Sequence, residues 1–114
     1  GTRLHQILHL HRLRVNSLHY QSVDSLGRGL CIAAREPNGV VQAIEHGTSP
    51  FLIGVQWHPE YLPLDAREQK LFISLVENAR RKRTGGRDTK QAADELQSNE
   101  STISALSASR VQFV

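Results

Sequence analysis

Phe51-Leu52-Ile53-Gly54-Val55-Gln56-Trp57-His58-Pro59-Glu60 is the stretch on which the reading of this chain turns. Its first seven residues are an apolar run of strand length, which predicts a central strand buried on both faces. Pro59 ends it, because proline brings no backbone donor and cannot continue a ladder. The strand therefore delivers His58 and Glu60 to its C-terminal end. In extended backbone, residues two apart point to the same side, so both side chains are expected at one site. A glutamate that accepts the proton-bearing ring nitrogen of a histidine fixes its tautomer and leaves the other nitrogen as a base, the orienter-base pair of nucleophilic catalysis. Ligand sites of open α/β sheets also lie at the carboxyl ends of strands. Taken alone, His-x-Glu is a weak signal, since a surface histidine often stands beside a carboxylate.

Working upstream, Leu30 to Glu36 and Val40 to Glu45 are two apolar-rich stretches separated by Pro37-Asn38-Gly39. Asn-Gly supplies the positive φ angles of a tight reversal, so a β-hairpin is predicted. Further upstream, Arg12-Leu13-Arg14-Val15 starts an alternating strand pattern that runs into the polar Asn16-Ser17-Leu18-His19-Tyr20-Gln21, placing His19 at a strand end or in a loop. Downstream, Asp65 stands three residues before Glu68 like a capping box. Leu71, Phe72, Leu75, Val76 and Ala79 follow at helical spacing, predicting an amphipathic helix over 66–82 packed on the sheet.

The 114 residues allow one small domain at most. Large apolar side chains become sparse after Thr84, so the core is expected within the first eighty residues and the remainder as a disordered polar tail, with a weak helix near Gln91 to Gln97. No apolar run approaches the roughly 20 residues of a membrane span, and the start lacks a secretion signal. A soluble, cytoplasmic protein is expected. With no methionine in the chain, a processed product or a piece of something longer is also expected.

The net charge of +3 comes largely from Arg80-Arg81-Lys82-Arg83 with Arg87 and Lys90. Cations at a helix end meet the negative pole of the helix dipole, and no interleaved aromatics would stack on bases, so nucleic acid is not an expected partner. His5, His9 and His11 could offer an i, i+4 pair to a metal, but without a thiolate or a second ligand pair no metal and no cofactor are expected. The single cysteine, Cys31, sits in Gly29-Leu30-Cys31-Ile32-Ala33, which superficially copies a nucleophile elbow. An elbow passes from strand to helix, whereas Cys31 is followed by hairpin, so it is read as a small buried apolar residue.

Three ordered segments, Val15-Asn16-Ser17-Leu18-His19-Tyr20-Gln21, the hairpin with Val41-Gln42-Ala43-Ile44-Glu45, and Gly54-Val55-Gln56-Trp57-His58-Pro59-Glu60, resemble the gamma-glutamyl-gamma-aminobutyrate hydrolase family of the class I glutamine amidotransferase-like fold, peptidase C26 type. The resemblance covers residues 12 to 82 and is to the C-terminal part of that family only. It implies an α/β fold, here a partial, flavodoxin-like, doubly wound sheet with the hairpin, the buried strand and a C-terminal helix. Residues 1–83 would form the C-terminal part of the amidotransferase-like domain and 84–114 the tail. By motif match, His58 would be the base and Glu60 its orienter, with His19 and Gln21 near the rim holding a small γ-glutamyl amide substrate. The family's nucleophile lies upstream in a Gly-x-Cys-x-Gly elbow that this chain lacks, and the connection from Gly1-Thr2 to Val15 is shorter than in the family. The implied partner is a nucleophile-bearing N-terminal half or a further copy, and the alternatives are an amidotransferase part that passes on ammonia or a catalytically inactive fragment.

Overall fold

A computed structural model of the chain describes residues 1–48, 51–62, 64–83 and 107–114. These divide into two compact units, one of Gly1–His58 with the C-terminal strand and one of residues 59–83. The first unit is a mixed α/β structure: helix α1 (Arg3–Leu8) and a five-stranded sheet of β1 (Arg12–Ser17), β2 (Leu30–Arg35), β3 (Val41–His46), β4 (Ile53–Val55) and β5 (Ser107–Phe113). The sheet order is β1-β5-β2-β3-β4, and every described pairing is antiparallel.

The hairpin forms where Asn-Gly predicts it. Gly39 sits at φ 93°, in the left-handed region that glycine enters without a Cβ clash. The Asn38 side chain accepts from the Val40 amide at 3.0 Å and donates to Glu36, while the Gly39 amide donates to the Glu36 carbonyl. Strand β1 alternates as read, with Leu13 and Val15 buried and Arg12 and Arg14 exposed.

Two placements differ from the sequence reading, and one helix is added to it. Residues 107–113, expected in the disordered tail, form β5, inserted between β1 and β2. Val111 and Phe113 from this strand are buried with Leu4, Leu8, Leu13, Val15, Ala33 and Ala34, so the core draws on both ends of the chain. Alternation over so few residues is too short to stand out in a polar stretch. The predicted helix at 91–97 lies outside the described residues. Next, the run beginning at Phe51 gives only the three residues of β4, half-buried, at an edge of the sheet with β3 as its one described neighbour. An apolar run reports suitability for burial, not the presence of neighbours on both sides. Finally, the histidine-rich start carries α1, capped by Thr2, whose hydroxyl accepts from the His5 amide.

Glu45 of β3 completes that cap. Its carboxylate accepts from the Arg3 amide at 2.8 Å and the Leu4 amide at 2.9 Å while only 5% exposed. A negative group at a helix N-terminus satisfies donors the helix itself leaves unpaired and faces the positive end of its dipole. The end of β5 is tied to the same region, the Val114 amide donating to Ala33 and the Thr2 hydroxyl donating to the Val114 carbonyl.

The second unit holds a short 3-10 turn, Pro59–Tyr61, and helix α2 (Ala66–Arg83). Asp65 caps α2 by accepting from the Arg67 amide at 2.9 Å. Of the apolar face read from the sequence, Leu71, Phe72 and Ala79 are half-buried and Leu75 and Val76 are exposed. The basic run Arg80–Arg83 occupies the last turn, where cations favourably meet the helix dipole. No helix among the described residues is long and apolar enough to cross a membrane.

Candidate active site

His58 follows β4 and is half-buried. What positions it comes from the far side of the sheet. Asn16 of β1, 4% exposed, accepts from the His58 amide through Oδ1 at 2.8 Å and donates from Nδ2 to the His58 carbonyl at 2.7 Å. A side-chain amide carries one donor edge and one acceptor edge, so it can pair with a peptide unit as a neighbouring strand would. The donor N–H and acceptor C=O of His58 also fix which end of the Asn16 amide is oxygen. Because β1 and β4 are opposite edges in the strand order, this clamp requires the sheet to curl. Trp57, 2% exposed, adds an apolar anchor one residue earlier, its ring meeting Phe113 edge-on at a centroid distance of 6.5 Å.

Glu60 is placed otherwise than extended backbone would place it. Pro59–Tyr61 forms a 3-10 turn, so the alternation that would put Glu60 on the side of His58 does not operate here. His58 ends the first unit and Glu60 belongs to the second. Proline at the first position of a helical turn explains the change: its fixed φ suits the turn and its missing N–H is not needed there.

His19 and Gln21 lie in the loop after β1, and the structure gives each a defined bond. His19 Nδ1 is 2.9 Å from the Gln21 carbonyl, and Nε2 is 3.2 Å from Gln42 Nε2. A carbonyl only accepts, so Nδ1 carries the proton and Nε2 accepts from the Gln42 amide. The same Gln42 nitrogen donates to the Glu36 carboxylate. Gln56 of the strand leading to His58 donates to the Gln21 carbonyl. The Gln21 side chain itself is exposed. His19 and the Gln21 backbone thus fasten the loop onto β3 and the end of β4. Beneath it, a hollow is bounded by Val23, Gln42, Ile44, Gly54 and Gln56. Gly54 lets β4 lie close against Ile44 of β3, since a Cβ there would stand 3.2 Å from Ile44 Cγ1.

Cys31 is a correction. It is exposed on β2, opposite Glu45 in the hairpin register and donating weakly to the Glu45 carbonyl at 3.5 Å, not a buried apolar filler. The strand assignment holds, and no strand-to-helix turn follows it. His5 and His11 stack at 5.0 Å with rings tilted by 45°, whereas His9 closes α1 in left-handed geometry. Among the described residues, no group of three His, Cys, Asp or Glu side chains could hold a metal ion. Among the described residues, a clear perturbation falls on one pair at the start of α2: the Arg67 guanidinium on Asp65 lowers the carboxyl to about 2, and Asp65 in turn raises Arg67.

Sequence reasoning missed Asn16, Gln42, Gln56 and Glu45 as positioning residues. Polar side chains at inward positions of otherwise apolar strands were the available signal, since a buried amide or carboxylate has to find partners.

The Peptidase C26 family model matches residues 1–60. A glutamine amidotransferase-like protein of Rickettsia prowazekii is 50% identical over 62 residues, covering 54% of this chain and 22% of the relative. A glutamine amidotransferase of Mycobacterium tuberculosis is 38% identical over 79 residues, 69% of this chain and 24% of the relative. The gamma-glutamyl-gamma-aminobutyrate hydrolase of Escherichia coli is 47% identical over 47 residues, 41% of this chain and 18% of the relative. The chain therefore spans about a fifth to a quarter of the length of these relatives. No solved structure matches it significantly.

Proposed function

The chain belongs to the peptidase C26 family, and from that premise we propose that it supplies the base and the carboxylate of a γ-glutamyl amide hydrolase whose cysteine comes from elsewhere. The observation that carries this reading is the Asn16 clamp on His58. It holds the backbone of one motif residue with a residue of another, across 42 positions of sequence, within the stretch the family model matches. Holding the base still is what a proton-transfer site requires, because the base has to stay within hydrogen-bond reach of the group it serves.

In the proposed reaction a cysteine thiolate attacks the γ-glutamyl carbonyl carbon, forming a C–S bond. The tetrahedral intermediate then expels the amine, which takes a proton from the His58 imidazolium. Water attacks the thioester, giving up a proton to neutral His58, and glutamate leaves as the thiolate is restored. Glu60 would stabilise the imidazolium and orient its ring. His19 and Gln21, with the loop they fasten, would border the substrate. Gamma-glutamyl-aminobutyrate, an intermediate of polyamine catabolism, is the proposed substrate, and the cytoplasm the proposed compartment. No cofactor is required. A second reading, glutamine hydrolysis that passes ammonia to a synthase, is favoured by the Mycobacterium relative and differs in the amine released.

The test is glutamate release from γ-glutamyl-aminobutyrate and from glutamine by the full chain. It is assayed alone and mixed with a relative from which the matched segment has been deleted. The mixture is expected to be active and the His58→Ala mixture inactive, with Glu60→Gln reduced by about two orders of magnitude, the usual scale for one positioned acid-base group. Activity of the chain alone that disappears with Cys31→Ala would overturn the reading, since the exposed thiol of β2 would then be the nucleophile.

A further inference from the structure

The strand register gathers side chains that the sequence scatters. Arg12 of β1 stands opposite Gln112 of β5, Gln112 opposite Arg35 of β2, and Arg14 opposite Arg110. Directly paired residues share a face of the sheet, and alternation puts residues two apart on that same face. All five are exposed, while Leu13 and Val111 between them are buried on the other side. Opposed residues have Cβ atoms about 5 Å apart, and residues two apart along a strand are separated by about 6.8 Å. The guanidinium groups of positions 12, 14, 35 and 110 therefore rise from a base of about 7 by 10 Å.

Little nearby neutralises them. Within the five strands the one carboxylate is that of Glu45, 5% exposed and held by the Arg3 and Leu4 amides. Glu36, next to Arg35, is engaged by the side chains of Asn38 and Gln42. Among the described residues no carboxylate pairs with any of the four arginines. Like charges directly opposite each other, as Arg14 and Arg110 are, destabilise a ladder. Packing does not ask for that pair, since any polar side chain suits an exposed position. A cost so placed marks a surface that meets an anion.

We propose that the open face of β1, β5 and β2 binds the phosphodiester backbone of a nucleic-acid duplex without reading its sequence. The guanidinium fork matches phosphate oxygens two at a time, and the two-residue step along β1 and β5 is close to that between successive phosphates of one strand. No aromatic side chain stands among the arginines to stack on a base, which selects a duplex, with its bases inside, over a single strand. No apolar side chain stands among them either, so the patch lacks the anchor that a protein partner or a bilayer would need. The net charge of +3 has the sign that steers a polyanion inward. Because β5 completes the patch and lies outside residues 1–60 of the family match, the assignment stands apart from the hydrolase reading.

Binding by the full chain is read as fluorescence anisotropy of a labelled, mixed-sequence DNA duplex over a salt series, with circular dichroism and urea midpoints as folding controls. Counterion release from four phosphates gives a slope of about −3.6 in log affinity against log salt, a loss of about 100-fold between about 50 and 200 mM. Arg14→Gln combined with Arg110→Gln should halve the slope, to a loss of about 10-fold, without lowering the urea midpoint, because it removes a like-charge pair. Arg14→Lys combined with Arg110→Lys keeps the charge and should keep the slope. Arg80→Gln combined with Lys82→Gln, on α2, should leave it unchanged. No duplex binding by wild type, a slope that the Arg14 and Arg110 glutamine variant leaves intact, or one that falls only with the α2 variant would overturn the assignment. So would tighter binding of the single strand, of polyglutamate or of phosphatidylserine vesicles than of the duplex, each of which would assign the arginines to a different anion.

Discussion

Replacing Asn16 by alanine should destabilise the first unit by about 2 kcal/mol, from the loss of two hydrogen bonds to the His58 peptide at net values of roughly 0.5–1.5 kcal/mol each. The upper part of that range applies because Asn16 is 4% exposed and both bonds are short, at 2.7 and 2.8 Å. Against a total stability on the order of 5–15 kcal/mol this is a large fraction. With a urea slope of roughly 1–3 kcal/mol per molar, the midpoint falls by about 1 M. Asn16→Asp discriminates the clamp from simple loss of volume. It keeps an acceptor for the His58 amide but sets an anionic oxygen against the His58 carbonyl, so at pH 7 it should be at least as harmful as alanine. As the pH falls and the new carboxyl takes up a proton it can donate again, and the deficit should narrow. The chain reports on itself in this assay, because Trp57, its single tryptophan, is buried next to His58. An alanine variant within 0.5 kcal/mol of wild type (about the scatter of a surface substitution), or an aspartate variant more stable than alanine at pH 7, would refute the clamp.

Deleting residues 107–114 should unfold the first unit rather than trim a tail, since β5 separates β1 from β2 and buries Val111 and Phe113, worth about 1.5–3 kcal/mol each; loss of the far-UV signal and of blue-shifted Trp57 fluorescence would register it. Glu45→Ala should cost about 3 kcal/mol by stranding the Arg3 and Leu4 amides, whose bonds to a charged acceptor are each worth roughly 1.5–3 kcal/mol, and Glu45→Gln about half as much; amide exchange at those two positions, with urea midpoints, checks it. Asp65 has a folded pKa of about 2 against an ordinary 3.8, so its contribution to the start of α2 is complete above pH 3.8 and is lost as the pH falls towards 2. The difference in helicity between wild type and Asp65→Asn should accordingly be full at pH 6 and much reduced by pH 2, and a difference of unchanged size at pH 2 would show that the Arg67 pairing is not its source.

What was legible in the sequence is what short-range chemistry controls. Asn38-Gly39 announced the hairpin because only residues tolerant of positive φ allow so tight a reversal. Asp65 announced the start of α2 because the orphan amides of a first turn need an acceptor nearby in the chain. The alternation of β1 and the motif ending at His58-Pro59-Glu60 were equally local, and the resemblance that placed the chain in its family rested on such segments. The structure alone decided which partners those segments meet. Whether Phe51 to Trp57 lies in the middle of a sheet or at its edge depends on the strands available, and its apolar side chains look the same either way. Glu45 caps a helix about forty positions away, and Asn16 grips a peptide 42 positions away; neither has a periodic or motif signature, because a buried amide or carboxylate reveals only that it needs partners. Even the neighbourhood of Glu60 turned on one proline that starts a 3-10 turn where alternation would have continued. Local propensity acts over a few residues, whereas the curl of the sheet that brings β1 to His58 is set by all five strands packing at once.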